Sequence, residues 1–154
     1  MSSQRAIHEL MAQVGPVLDL DRVTEFAEDQ TWHLVFDEST SVDVEYDDDG
    51  NRLMLTGDVG AVPSQSREKA FEALLRYNYL WTEHGGVRGA LDGSAGNVVM
   101  MVEMTASGLD ITRLCSVLQN FRAVVEGWRD VLTSIADGSN VSEAPFNSPG
   151  MIRG

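Results

Sequence analysis

Cysteine is scarce in this sequence of 154 residues, in which Cys115 is the single example. One cysteine excludes an intramolecular disulfide and fits a reducing compartment. The three histidines have no i, i+4 pairing, and neither a C-x-x-C nor an H-E-x-x-H motif occurs. We therefore expect no metal site and no other cofactor. Cys115 falls in an apolar helical stripe, where we expect a buried structural thiol.

Positive charge is also scarce. The chain has 11 lysine and arginine residues against 24 aspartate and glutamate residues, which gives a net charge of −13. Phosphate binding needs a basic footprint, so this balance argues against nucleic acid and against an anionic membrane surface as partners. A strongly acidic chain is soluble and electrostatically suited to a basic partner. Charge alone does not distinguish these two roles.

Long apolar runs are absent. None approaches the ~20 consecutive apolar residues that a membrane-spanning helix requires. The N-terminal stretch MSSQRAIHELMAQVG mixes charged with apolar residues, unlike a secretory signal. We therefore predict a cytoplasmic protein.

Motifs typical of catalysis are missing as well. Gly57 and Gly60 are not followed by the Lys-Ser/Thr pair of a phosphate loop. The run Gly93–Gly96 is one residue short of a nucleophile elbow and falls in a predicted hairpin. The acidic stretch from Glu45 resembles the start of an EF-hand, but Thr56 stands where a bidentate glutamate is needed. We predict a protein that is not an enzyme and that acts through a surface.

Apolar periodicity predicts three helices. The first ends at Gly15-Pro16, and its apolar residues fall at i, i+3, i+4 and i+7. The second begins at a serine cap, Ser64 or Ser66, and continues to about Glu83. The apolar stripe of the first helix consists of Ile7, Leu10, Met11 and Val14.

The third helix has the clearest stripe in the chain and starts at Ser107 or Asp110. After Asp137 the sequence is rich in Gly, Ser, Asn and Pro, which predicts a flexible tail over residues 137–154. The stripe consists of Ile111, Leu114, Cys115, Leu118, Phe121, Val125, Trp128, Leu132 and Ile135.

Alternation of apolar with polar residues predicts five strands, near residues 31–37, 42–46, 53–56, 87–92 and 97–105. A turn over residues 47–51 makes a hairpin of the second and third strands. Residues 17–28 show no clear period and are interpreted as mostly loop. The sequence thus predicts a single domain over residues 1–136 with an α+β fold, in which about five antiparallel strands and three helices follow the order α-β-β-β-α-β-β-α.

The second helix is apolar on two faces, more than a surface helix on a small sheet needs. Either it is deeply buried within the domain, or one face forms a dimer interface, since isologous dimers are the commonest oligomers. We predict the interface at Ala73, Leu74, Tyr77, Leu80 and Trp81.

The last strand is apolar on both faces over much of its length. One parity holds Val98, Met100, Val102 and Met104, and the other holds Val99 and Met101. Either the strand is covered on both sides, or the second face binds a partner, a role that suits adaptable methionine side chains. The alternation of side chains along the other strands places Val35 and Met54 on the same face as Val99 and Met101. The short first helix needs docking for stability, and its stripe could instead be shared with an extended partner chain.

The order and spacing of these pieces resemble the class I chaperones of bacterial type III secretion, the CesT/Tir-chaperone family. The matching pieces are the strand Trp32–Phe36, Leu53–Gly57 leading to Pro63, Leu74-Leu75…Asn78, Leu91-Asp92…Gly96, and the helix from Leu109 with Phe121 and Trp128. Together they span roughly residues 5–135. The tail and residues 17–28 depart from the pattern.

The resemblance implies an acidic cytoplasmic homodimer that binds the N-terminal region of a secreted effector in extended form and keeps it secretion-competent. It places the first-helix stripe (Ile7, Leu10, Met11 and Val14) near an effector groove and the helix Leu74–Trp81 at the dimer interface. With the second sheet face, the predicted effector-binding set also includes Val35, Met54, Val99 and Met101. The alternative is an acidic dimeric α+β protein with a regulatory or scaffolding role that binds a folded partner.

Overall fold

A computed structural model describes residues 3–93 and 96–138, and within these ranges the chain forms three α-helices and a six-stranded antiparallel sheet. The predicted α+β class is confirmed, with one strand more than expected. The elements are α1 (Ser3–Leu18), β1 (Arg22–Phe26), β2 (Thr31–Val35), β3 (Ser41–Asp47), β4 (Arg52–Ala61), α2 (Arg67–Tyr79), β5 (Arg88–Asp92), β6 (Asn97–Thr105) and α3 (Ile111–Ala136).

The strands lie in the order β1-β2-β3-β4-β6-β5, and all three helices cover the same face of the sheet. Gly57 and Gly89 are both paired with Met100 and therefore point to one side. On that side a Cβ on Gly57 would lie 2.5 Å from Cγ2 of Val125 in α3, and one on Gly89 would meet Leu74 of α2. Glycine at these two positions lets the helices approach the sheet closely. The opposite face carries no helix among the described residues.

The core lies between the sheet and α3, as the predicted stripe requires. Asp110 caps the helix by accepting a hydrogen bond from the backbone N–H of Arg113 at 2.8 Å, which confirms one of the two predicted starts. Every member of the stripe from Leu114 to Ile135 is buried. The aromatic side of the second strand is also buried, with Trp32, Leu34 and Phe36 each less than 10% exposed.

Residues 17–28, predicted to be mostly loop, instead complete α1 and form β1. The helix continues through Gly15-Pro16 to Leu18, because the φ of proline is compatible with a helix. It then ends in a Schellman motif, in which Asp19 takes φ 52° and the Leu20 N–H bonds the Gly15 carbonyl at 3.1 Å. Glycine usually occupies this left-handed position, so the aspartate here does not signal the end of the helix in the sequence.

The second helix ends at Tyr79, four residues before the predicted end near Glu83. Irregular turns follow, and the Asn78 side chain explains the early stop. Its Nδ2 donates to the Gly89 carbonyl and its Oδ1 accepts from the Gly89 N–H, both at 2.9 Å. These bonds fix α2 to β5, so the chain must turn back within the residues between them. Ser66 occupies the N-cap but makes no side-chain capping bond.

The third predicted strand is also longer than expected, and β4 extends to Ala61. Of the predicted tail, only Asp137 and Gly138 lie within the described residues, and the remainder of that prediction falls outside them. In the part of the chain that is described, no helix has the length and apolarity to cross a bilayer.

Candidate protein-binding surfaces

The helix-free side of the sheet, called here the open face, is an exposed surface with an apolar centre. The strand register places Met54 opposite Glu103, Thr56 opposite Met101, and Asp58 opposite Val99. Val35 faces the same way on β2, two residues beyond His33, which pairs with Asp43. The four predicted residues Val35, Met54, Val99 and Met101 therefore share one face, and each is half-buried by its neighbours rather than covered by a helix.

The predicted α1 stripe lies on the other side of the sheet. Ile7, Met11 and Val14 are 3%, 1% and 0% exposed, because α1 packs against α3 and belongs to the core. Leu10 is half-buried at the edge of that core. The structure does not bring the two halves of the predicted effector-binding set together. In the described fold the open-face half can contact a partner without unpacking the domain, whereas Ile7, Met11 and Val14 cannot.

The predicted dimer residues on α2 are divided between the core and the surface. Leu74 and Tyr77 are buried at 6% and 7% exposure, and Ala73 is half-buried. Leu80 and Trp81 are exposed at 37% and 44%. The helix thus uses its Ala70–Leu74–Tyr77 side to dock on the sheet, which leaves a different side for any partner.

That outer side of α2 carries a shallow apolar groove, of which only Leu80 belongs to the predicted dimer residues. Leu75 and Tyr79 are 68% and 85% exposed, the highest values among the large apolar residues described. The signal was present in the sequence, since Phe71, Leu75 and Tyr79 recur at i, i+4 and i+8. The groove is lined by Glu68, Phe71, Glu72, Leu75, Arg76, Tyr79 and Leu80.

An aromatic cluster holds the turn after α2 against the core. The Tyr77 ring stacks on His84 with centroids 4.0 Å apart and meets Trp128 edge-on at 5.2 Å. Burial raises the pKa of the Tyr77 hydroxyl above its ordinary value and lowers the pKa of His84. Trp81, by contrast, lies outside this cluster, with the Arg88 guanidinium 4.6 Å from its ring centroid.

The two edges of the sheet differ. At the β5 edge, Asn78 bonds both backbone groups of Gly89, so a further strand could not pair there without displacing it. At the β1 edge, the backbone of residues 22–26 bonds only to β2 within the described structure. An unpaired strand edge is a template for another extended chain.

Cys115 is 6% exposed, and burial raises the pKa of its thiol, which makes it a poor nucleophile. Over residues 3–93 and 96–138, no group of three or more His, Cys, Asp or Glu side chains is arranged to hold a metal ion.

The amino-acid sequence matches one known protein family over most of its length. The model of the Tir chaperone protein (CesT) family matches residues 8–129, which is most of the chain. The chain belongs to the CesT family. This assignment confirms the resemblance inferred from the order of strands and helices, and it places the protein in a family of chaperones.

Solved structures with the same fold include three complexes. The ExsC–ExsE complex matches with a TM-score of 0.74 and 21% identity, covering 86% of this chain and 97% of that chain. The HopA1–SchA chaperone–effector complex matches at 0.68 and 18%, covering 84% and 98%. The ExoU–SpcU complex of the Pseudomonas aeruginosa type III secretion system matches at 0.57 and 22%, covering 82% and 94%. At these identities the likeness establishes the fold. No curated protein matches the sequence.

Proposed function

We propose that this CesT-family protein is a cytoplasmic chaperone for a type III secretion effector. It binds the N-terminal chaperone-binding segment of the effector in extended form and keeps it soluble and secretion-competent, without catalysis. Membership of a chaperone family supports the class of activity. The similar complexes, among them one described as chaperone–effector, support the kind of partner.

The observation that carries the proposal is the open face. Strands β4 and β6 are both interior strands of the sheet, yet no helix of the described residues covers their outward side chains Met54, Val99 and Met101. A sheet with one apolar side normally covers it with another layer. A partner segment laid on this face supplies the missing layer and buries methionines that adapt to varied side chains.

The open edge of β1 offers a second means of holding an extended segment. A strand added beside residues 22–26 gains main-chain hydrogen bonds that are independent of its sequence. A disordered segment loses conformational entropy when it binds, so a useful affinity needs a large contact area. Face and edge together supply a larger area than either one alone.

We propose further that the chaperone is a homodimer with its seam on the outer side of α2, a position that the exposure of Leu75 and Tyr79 supports. Phe71, Leu75, Tyr79 and Leu80 line the groove there, and Trp81 continues the apolar surface toward β5. Of the predicted interface residues, Leu80 and Trp81 remain candidates for direct contact. The other three predicted residues act indirectly, because they pack α2 against the rest of the domain and so hold its outer side in position; these are Ala73, Leu74 and Tyr77.

Co-expression with the secreted protein encoded nearby tests the effector-binding proposal. We expect the full chain to co-purify with it, and Met101→Asp to reduce the recovered effector about tenfold, as loss of a central apolar contact does. Val17→Asp is the matched control, since Val17 is 58% exposed on the helical side. If Val17→Asp abolishes co-purification and Met101→Asp does not, the binding face is assigned wrongly. If no secreted protein co-purifies and only a folded partner does, the regulatory alternative replaces this function.

The dimer is tested by the mass of the purified chain in solution. We expect Leu75→Glu or Leu80→Glu to convert dimers into monomers, because each places a charge in an apolar seam. Lys69→Glu is the control, since Lys69 is exposed on α2 outside the groove. A dimer that persists unchanged in both leucine variants contradicts the α2 seam.

A further inference from the structure

The open face combines its apolar centre with carboxylates at close range. Directly opposed residues on neighbouring strands have Cβ atoms about 5 Å apart. Met54 lies between Glu45 on one side and Glu103 on the other, and Val99 lies beside Asp58. All three acidic side chains are exposed. A segment that covers the methionine and valine side chains therefore covers carboxylates as well.

Part of this negative charge is already compensated within the face. Arg52 bonds Asp47 at 2.8 Å and Glu103 at 2.7 Å, and His33 bonds Asp43 at 2.6 Å. Three carboxylates of this face contact neither an arginine nor a histidine among the described residues, those of Glu45, Asp58 and Asp92. Glu45 and Asp58 are the two that lie directly beside the apolar centre. The single side-chain contact of Asp58 is from the Asn97 amide at 3.4 Å.

Covering an uncompensated carboxylate with an apolar segment is unfavourable, because the charge loses its water and gains no partner. Covering it with a segment that brings lysine or arginine replaces the lost hydration with a charge-assisted hydrogen bond. The net charge of −13 acts in the same direction, since it attracts cationic segments and repels acidic ones before contact.

We propose that the open face selects an extended segment that presents both apolar and basic residues on the side that meets the sheet, and that Glu45 and Asp58 receive the basic side chains. This inference rests on the proposed function, and it specifies the chemistry of the effector segment. Asp58 is the fourth residue after Met54, the neighbour of Glu45, along β4, at a distance of about 13 Å in an extended chain. A segment aligned with β4 meets both carboxylates when its basic residues are at i and i+4.

Two synthetic peptides of equal length test the charge preference. On the side that meets the sheet, both peptides carry Val or Ile at every second inward position and either Lys or Glu at the inward positions between, with Ser at all outward positions. Each peptide is titrated into the full-length chain by fluorescence anisotropy. At low salt we expect the Lys peptide to bind at least about tenfold more tightly than the Glu peptide, with the difference falling as salt rises. Equal affinities, or no binding of either peptide, overturn the inference.

A pair of double variants locates the effect. Glu45→Gln with Asp58→Asn should weaken binding of the Lys peptide about tenfold, as expected for two partly desolvated ion pairs. The control, Glu28→Gln with Asp130→Asn, makes the same change in net charge at exposed residues away from the open face. An equal loss in both double variants shows that only overall charge matters and overturns the site.

The same variants separate this inference from the chaperone function. If the secreted protein co-purifies equally with the wild type and with the Glu45/Asp58 variant at every salt concentration, the inference fails and the chaperone function stands. If no secreted protein co-purifies with the wild type but the Lys peptide binds with the expected preference, the charge selection stands and the chaperone function fails.

Discussion

Replacing Asn78 by alanine removes the contact that joins α2 to the edge of the sheet. The amide makes two hydrogen bonds to the backbone of Gly89, each 2.9 Å long. Each bond contributes about 1 kcal/mol net, so the pair contributes about 2 kcal/mol. Alanine recovers up to about 0.7 kcal/mol through its higher helix propensity. We therefore expect Asn78→Ala to lower the free energy of unfolding by about 1.5 kcal/mol.

Urea unfolding followed by tryptophan fluorescence measures this change. With a slope of about 1.5–2 kcal/mol per molar, the midpoint should fall by somewhat less than about 1 M. Asn120→Ala is the matched control, because Asn120 is also a half-buried helical asparagine, yet its side chain makes no hydrogen bond within the described structure. All variants are compared at one protein concentration, since the proposed dimerisation would make the midpoint depend on concentration. If Asn78→Ala is no less stable than Asn120→Ala, the two bonds to Gly89 do not stabilise the fold.

Two further predictions concern the packing of α3. Gly57→Ala should lower the free energy of unfolding by about 1–3 kcal/mol, because the new methyl group would lie 2.5 Å from Val125 Cγ2. In a Val125→Ala background most of this destabilisation should disappear. An equal destabilisation in both backgrounds contradicts the contact. The pKa of Asp37 is lowered from 3.8 to about 2, chiefly by the hydrogen bond from the Ser39 backbone N–H and also by the one from Arg122. The ionised carboxylate therefore stabilises the fold fully above about pH 4, and this stabilisation is lost as the pH falls toward 2. The stability difference between wild type and Asp37→Asn, followed by urea unfolding, should therefore shrink from pH 5 to pH 2, and a constant difference would refute this linkage.

The sequence predicted best what depends on local periodicity. The third helix combines a long apolar stripe with a capping aspartate, and both the stripe and the Asp110 cap are confirmed. Strand β1 was missed because its two large apolar residues, Val23 and Phe26, are 37% and 50% exposed and give no alternating pattern. The side of an edge strand that meets the core is set by its neighbours, not by its own sequence.

The surfaces required information that periodicity does not carry. Leu74 and Leu75 are adjacent and equally apolar, yet Leu74 is 6% and Leu75 is 68% exposed. Leu74 packs directly against Gly89 of the sheet, whereas Leu75 lies on the outer side of α2. Parity correctly grouped Met54 with Met101 on one face. It could not show that the α1 stripe lies behind the opposite face, since that depends on packing against α3, which is distant in sequence.

The unequal edges of the sheet determine how large an assembly can grow. If both edges were free, β1 of one molecule could pair with β5 of the next, and this head-to-tail pairing has no symmetry that closes it. Asn78 occupies the β5 edge and leaves a single strand position per protomer. An extended chain bound at β1, as proposed above, would therefore add one strand per protomer, and the product would be a particle of fixed stoichiometry, not a fibre.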